Sequence, residues 1–326
     1  MVRLPARVAD PGCLFTEWGE TKCKGALVTL TTVIRFFNRR AVLPYVFVSP
    51  LVLLLLLINV VPVFYSLYLS LSHWPLERIR ELPTFAGLAN YQRMFEDSRL
   101  MGSAKFTALF TFASVPIEIS LGLILALLLD GRFPGRAIVR ALFVLPLAMA
   151  PLVTGLVWRY LFSREYGLVN YLLSFMQIAP VSWLSATPWA QISIIITEVW
   201  LQMPFASLVF LAGLQAIPNE LVETARLDGA GRIAILRHIT LPLLRPALLV
   251  VGLITSTNAV RSFELSYALT SGGPFQSTET FSFLAYQVGF RFFDLPYAAA
   301  ISWTILAINL AISLLFMRLM YREQEP

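Results

Sequence analysis

The chain has 326 residues, of which 57% are apolar and only 13% are charged, and its mean hydropathy is +0.72. Soluble domains have about 25% charged residues, so this composition excludes an ordinary soluble globular protein. The formal net charge is +6, and in a membrane protein basic residues orient the spans. We therefore attribute this charge to membrane topology and not to nucleic-acid binding.

Residues 1–40 are predicted to be a cytoplasmic lead-in to the first span, and an over-extended translation start is an open alternative. Their apolar patch, residues 26–30, is too short to cross a membrane. Arg35, Arg39 and Arg40 follow this patch, whereas the basic residues of a signal peptide precede its apolar core. Cys13 and Cys23 both lie here, so no disulfide framework is expected.

Six apolar runs are long enough to cross a hydrocarbon core, which takes roughly 20 residues. They are Tyr45–Leu71, Phe106–Leu129, Ile138–Phe162, Gln191–Leu214, Leu248–Leu269 and Pro296–Leu319. The runs do not alternate apolar and polar residues, as the strands of a β-barrel must. The sequence predicts an all-α polytopic membrane protein, with six transmembrane helices in a domain formed by residues 41–326.

The distribution of basic residues predicts the orientation. With the N-terminus in the cytoplasm, the inside segments hold sixteen Lys and Arg residues and the outside segments hold eight. This excess places both termini in the cytoplasm. The loop of residues 73–103 is then external. It is interpreted either as a folded loop that docks a soluble partner or as an interfacial loop with Trp74 and Tyr91 at the level of the lipid headgroups.

A polar segment between the fourth and fifth spans carries the most specific motif. Its pattern is E-x-A-x-x-D-G-A at Glu223–Ala230, followed by I-x-L-P at Ile239–Pro242. This segment, about residues 217–242, resembles the EAA loop of ABC importer permeases, although Thr224 stands where that family usually has alanine. The resemblance implies two short cytoplasmic helices that insert into an ATPase subunit; an amphipathic connector is the alternative. The predicted ATPase-coupling residues are Glu220, Glu223, Ala225, Asp228, Gly229, Ala230, Ile239, Leu241 and Pro242.

The fifth span contains polar residues that predict a solute pathway. Asn258, Arg261 and Glu264 follow one another at intervals of three, so they would share one face of a helix. An ionisable residue at membrane depth normally faces a cavity or a partner charge. These three residues either line the pathway of a hydrophilic solute or form an internal Arg–Glu pair that holds helices together. Trp200 and Gln202, just before Pro204 on the fourth span, are further pathway candidates.

Three further segments narrow the resemblance to a subclass. They are L-T-x-G-G-P at Leu269–Pro274, the segment Phe293–Ala300 with Pro296 in place of a glycine, and A-G-L-Q-x-I-P at Ala212–Pro218. They resemble the first of two paired permeases in the maltose-, trehalose- and glycerol-phosphate-type importers of the cell inner membrane. F-x-G-L-x-N-Y at Phe85–Tyr91 similarly resembles the segment after the first span of sugar-type permeases.

The resemblance implies a set of partners. These are a second, different permease, two copies of a cytoplasmic ATPase and an extracytoplasmic solute-binding protein. The expected solute is a disaccharide, an oligosaccharide or a glycosylated polyol, with a glycerol-phosphate-type solute as the alternative. A homodimer remains open as an alternative to the pair of different permeases.

Catalysis is not expected of this chain. It has no G-x-x-x-x-G-K-[ST] loop for phosphate binding, so no cofactor is expected on this chain, and ATP and Mg²⁺ belong to the partner ATPase. His73 and His238 lie on opposite sides in the predicted topology, so no histidine metal site is expected. Two rival classes are an ion-coupled secondary transporter, which is expected to show inverted repeats, and a membrane enzyme, which needs clustered catalytic groups.

Overall fold

A computed structural model describes residues 43–74, 81–131 and 134–322. The predicted lead-in, residues 1–40, lies outside the described residues, together with Cys13 and Cys23. The chain divides between Tyr65 and Ser66 into two units.

The described elements are helices and one short two-stranded sheet. The first eight are α1 (Leu43–Leu55, Leu56–Val60 and Val61–Ser70), β1 (Ser72–His73), β2 (Thr84–Phe85), α2 (Ala89–Glu96), α3 (Ser98–Asp130), α4 (Arg136–Ala148), α5 (Pro151–Leu161) and α6 (Leu168–Phe175). The others are α7 (Trp189–Gln215), α8 (Asn219–Leu227), α9 (Arg232–Ile235, Leu236–Thr240 and Leu241–Leu243), α10 (Arg245–Arg261), α11 (Ser266–Thr270), α12 (Phe281–Tyr286 and Gln287–Arg291) and α13 (Leu295–Arg322).

Five segments of the described chain are long and apolar enough to cross a membrane. They are Phe47–Ser70, Ser98–Asp130, Trp189–Gln215, Arg245–Thr270 and Leu295–Met320. A sixth is reached when the bent pair α4 and α5 is counted as one span. The predicted all-α polytopic fold is confirmed.

The third predicted span, Ile138–Phe162, is wrong as a continuous helix. α4 and α5 meet at a bend of 102°. Ala150, between them, has an extended backbone with φ −65° and ψ 133°. The cause is Pro151, whose ring disfavours a helical conformation of the preceding residue.

α3 begins eight residues before the predicted second span. Asp97 caps it, because its Oδ1 accepts hydrogen bonds from the backbone N–H groups of Arg99 at 2.9 Å and Leu100 at 3.2 Å. This cap satisfies two of the donors that every helix start leaves without a partner. Apolar periodicity alone does not reveal these polar first turns.

The predicted external loop is folded around a short hairpin. Ser72 pairs with Phe85 across β1 and β2. The buried Asn90 amide donates to the backbone carbonyls of Ser70 at 2.9 Å and Ser72 at 2.8 Å, and the Tyr91 hydroxyl donates to Ser70 Oγ at 3.0 Å. The Asn-Tyr pair of the motif therefore joins this loop to the end of α1.

A buried ion pair joins the start of α3 to the segment before α12. Arg99 donates from Nε to Glu279 Oε2 at 2.8 Å and from Nη2 to Glu279 Oε1 at 2.7 Å. The Glu279 side chain is only 1% exposed, and that of Arg99 is 24% exposed. Arg99 Nη2 also donates to Gln287 Oε1 on α12. This bidentate ion pair holds the loop between α11 and α12 against α3.

Candidate functional site

The fifth predicted span is interrupted at its polar end. α10 ends at Arg261, because Ser262 is extended with φ −58° and ψ 122°. The Ser262 carbonyl instead accepts a hydrogen bond from Thr280 Oγ1 at 2.7 Å, so the interruption does not leave this group without a partner. The predicted common helix face for Asn258, Arg261 and Glu264 is wrong for Glu264, which follows the interruption.

A polar cavity of about 430 Å³ lies beside this interruption. Its lining consists of Pro151, Glu198, Leu201, Gln202, Asn258, Arg261, Ser262, Glu264 and Leu265. Four of the five predicted pathway residues therefore line one cavity, contributed by two different spans. The fifth, Trp200, is absent from that lining and makes an edge contact with Trp158, with ring centroids 5.7 Å apart.

The predicted pairing of Arg261 with Glu264 does not form. Arg261 Nη2 donates to Asn258 Oδ1 at 3.2 Å, and its Nε donates to the Thr257 carbonyl at 3.4 Å. Glu264 Oε2 accepts from the backbone N–H of Phe263 at 3.4 Å. Among the described residues Arg261 forms no ion pair with a carboxylate.

The cavity wall also contains a carboxylate to which the sequence assigned no role. Glu198 lies one helical turn before Gln202 on α7, so both side chains share a face. Glu198 is only 4% exposed. The sequence did contain a signal for Glu198, because a glutamate four residues before a predicted pathway residue is unusual within an apolar span.

The loop between α7 and α10 contains the two short helices that the motif predicts. α8 and α9 are joined by a tight turn in which Gly229 has φ +83°. Glycine adopts this left-handed conformation without steric cost, which explains the residue type at this position. Of the predicted coupling residues, Glu220, Glu223, Asp228 and Gly229 are exposed, and Ala225, Ala230, Ile239, Leu241 and Pro242 are half-buried.

Two exposed apolar side chains beside this turn were not among the residues predicted from the sequence to couple to an ATPase. Leu227 is 89% exposed and Ile233 is 81% exposed, one on each side of Gly229. Neither side chain is covered by the described part of the chain. The available signal was an apolar residue on each side of a glycine turn in an otherwise charged loop.

The other end of this loop is anchored to the spans. A Cβ atom at Gly213, near the end of α7, would lie 2.7 Å from Leu244 Cδ2. Leu244, between α9 and α10, is 1% exposed, and Thr240 in α9 is also buried. Leu244, the residue immediately before α10, therefore packs closely against the end of α7.

Comparison with known proteins places this arrangement in one family. Residues 118–322 match the binding-protein-dependent transport system inner membrane component family. This segment contains both the polar cavity and the α8–α9 loop. The chain belongs to this family.

Similar members of the family have been named in other organisms. One is the trehalose/maltose transport system permease protein MalF of Thermococcus litoralis, 36% identical over 89% of this chain and 96% of that protein. Another is the sulfoquinovosyl glycerol transport system permease protein SmoG of Agrobacterium fabrum, 34% identical over 83% of this chain and 88% of that protein. The predicted resemblance to sugar-type ABC permeases is thus confirmed.

A solved structure shows the same fold. The bacterial ABC transporter for import of the acidic polysaccharide alginate contains a chain with a TM-score of 0.75 and 20% identity, over 91% of this chain and 100% of that one. Family membership makes the chain a multi-pass inner membrane transport component. Membership of this family favours a transport permease over the two rival classes, an ion-coupled secondary transporter and a membrane enzyme.

Proposed function

We propose that this chain is one of two different permease subunits of an ATP-driven importer that takes up a sugar. The polar cavity carries the proposal, because it brings amide, guanidinium and carboxylate groups of Gln202, Asn258, Arg261 and Glu198 together within the spans. Such groups offer hydrogen bonds to the hydroxyls of a sugar. An extracytoplasmic binding protein delivers the solute to this pathway.

ATP hydrolysis takes place on the partner, in two copies of a cytoplasmic ATPase that hold ATP and Mg²⁺. The α8–α9 loop inserts into a groove of one copy, with Leu227 and Ile233 in apolar contact. Glu220, Glu223 and Asp228 lie exposed on the same loop and face basic residues of the ATPase. This arrangement requires the loop and both termini to be cytoplasmic, as the distribution of basic residues indicates.

A glycerol-phosphate-type solute is the second candidate, and Arg261 favours it. A guanidinium without a carboxylate partner is well suited to a phosphate. Two carboxylates, Glu198 and Glu264, line the same cavity as this single cation, and their charge opposes an anionic solute. We therefore place a sugar first. Competition of uptake by disaccharides and by glycerol phosphate decides between the two.

Replacing Asn258 with alanine is expected to weaken solute uptake without abolishing it. The loss of one hydrogen bond costs about 0.5–1.5 kcal/mol, which raises the half-saturating solute concentration roughly two- to tenfold. Uptake by the reconstituted importer measures this. Asn309→Ala is the matched control, because Asn309 lies on α13 and is absent from the lining of the cavity. Unchanged half-saturation in Asn258→Ala removes Asn258 from the pathway.

The importer is expected to need a second, different permease. The motif at Leu269–Pro274 resembles that of only one member of a pair, and an unsymmetrical sugar is held better by different groups from two sides. The alternative is a homodimer, the commonest symmetric assembly. Reconstitution of this chain with the ATPase and binding protein alone should give no solute-stimulated ATP hydrolysis. Activity of that reduced mixture contradicts the proposal of two different permeases.

A further inference from the structure

The loop between α11 and α12 presents an aromatic side chain that nothing in the described part of the chain covers. Phe275 is fully exposed. Its backbone and that of Gln276 are both left-handed, with φ +49° and φ +64°. Side chains other than glycine adopt this conformation rarely, and such strained positions persist where the surrounding structure holds them, often at binding sites. The loop therefore holds this ring out into its surroundings.

Hydrogen bonds on both sides keep the loop in place. Thr278 Oγ1 donates to the Gly273 carbonyl at 2.6 Å, which closes the loop on itself. From α7, Gln191 Nε2 donates to the Ser277 carbonyl at 2.8 Å. Phe275 is thus presented on a fixed backbone, so a partner that binds the ring does not have to order the loop first.

A cavity of about 340 Å³ lies beside Phe275, between the loop and the first turns of α3 and α7. Its polar lining includes Ser98, Arg99, Lys105, Gln191, Gln276 and Ser277. The Arg99 guanidinium is already paired with Glu279. Lys105 is exposed and forms no ion pair with the residues that the structure describes. The cavity therefore has a positive charge that is free to pair with an acidic group.

The exposed face of α3 places this cavity at the water end of the spans. Ser98 and Lys105 are exposed and lie seven residues apart, so they share a face of the helix. The next positions on this face, Leu109 and Phe112, are exposed and apolar, as expected where the helix enters lipid. The span Arg245–Thr270 starts beside the α8–α9 loop. Its other end leads into the loop of Phe275, which therefore lies on the side opposite to the α8–α9 loop.

We propose that Phe275 and the cavity beside Lys105 form the docking site for the extracytoplasmic solute-binding protein, an inference that rests on the proposed function. The partner surface has an apolar pocket for the phenyl ring and an acidic side chain that enters the cavity and pairs with Lys105. A single aromatic anchor within a polar, charged rim is typical of interfaces between proteins that associate and separate. A permanent contact with the second permease would bury a larger apolar area, and the polar lining does not suit lipid tails.

ATP hydrolysis by the assembled importer in lipid nanodiscs, measured against the concentration of its binding protein, tests this docking site. Phe275→Asn is expected to raise the half-stimulating concentration about tenfold or more, because an aromatic anchor is lost, and to keep the maximal rate. Asparagine tolerates the left-handed backbone, so the loop itself is preserved. Lys105→Gln should also raise the half-stimulating concentration and weaken its dependence on salt, because an interface charge acts mainly on the rate of association.

Two exposed positions on the same side of the spans provide the controls. Phe175→Asn at the end of α6 and Arg164→Gln between α5 and α6 lie outside the lining of this cavity and should behave like the native importer. An unchanged half-stimulating concentration in Phe275→Asn, or a native salt dependence in Lys105→Gln, overturns the proposal. Loss of permease assembly in Phe275→Asn also overturns it, since the ring would then contact the second permease. A native importer that no concentration of the binding protein stimulates contradicts the proposed function itself, so the two failures are distinguishable.

Discussion

Replacing Gly229 with valine is expected to abolish solute-stimulated ATP hydrolysis by the assembled importer, while the permease still inserts into the membrane. Gly229 has φ +83°, and a β-branched residue in this region of backbone conformation is a steric outlier. The left-handed conformation costs an ordinary residue about 1–2 kcal/mol, so the turn rearranges. Leu227 and Ile233 on its two sides then lose the relative position that the ATPase groove requires.

Gly231→Val separates this backbone effect from the effect of added bulk. A Cβ atom at either glycine meets nothing within 4 Å, but Gly231 has φ −72°, which valine adopts readily. Gly231→Val should therefore retain coupling. Gly229→Asn should be intermediate, because asparagine tolerates the left-handed conformation better than valine. Normal ATP hydrolysis by Gly229→Val, or an equal loss in Gly231→Val, contradicts the assignment.

The second large effect is expected from the buried ion pair between Arg99 and Glu279. Arg99→Met leaves the Glu279 carboxylate uncompensated at 1% exposure. Breaking a buried pair by removing one partner costs about 3–5 kcal/mol. The apparent melting temperature of the importer in detergent measures the loss. The double variant Arg99→Met/Glu279→Gln should recover part of the stability, because no buried charge is then left alone.

The exposed ion pair between Arg93 and Asp294 provides the control for this experiment. Its nitrogen–oxygen distance is also 2.7 Å, but its side chains are 57% and 32% exposed. Exposed pairs contribute about 0–1 kcal/mol, so Arg93→Met should change the melting temperature little. A similar loss in both single variants, or no recovery in the double variant, shows that burial does not set the strength of the Arg99 contact.

The membrane fold and the two short helices between the fourth and fifth spans were predictable because both depend on local sequence. A run of about 20 apolar residues can bury its backbone in lipid only as a helix, which fixed the positions of most spans. Gly229, within a charged segment between two such runs, indicated the turn between α8 and α9. The exposure of Leu227 and Ile233 had a weaker sequence signal, an apolar residue on each side of this glycine turn, and only the structure shows that both side chains are uncovered.

The interruption of α10 and the cavity beside it depend on contacts between distant parts of the chain. The spacing of Arg261 and Glu264 suggested a shared helix face, but the Thr280 hydroxyl holds the Ser262 carbonyl from 18 residues away. The placement of Glu198 and Gln202 opposite Asn258 likewise follows from the packing of α7 against α10.

The sequence by itself determined that this protein is a polytopic helical membrane protein of the permease family with a polar two-helix loop between its fourth and fifth spans, because apolar run length and a spaced motif are properties of contiguous residues. Only the tertiary structure decided which polar side chains meet. The helix interruption at Ser262 changes the direction in which Glu264 points, and the packing of α7 against α10 sets which side chains line the polar cavity. Neither is encoded in the periodicity of a single span, because both arise from packing between spans.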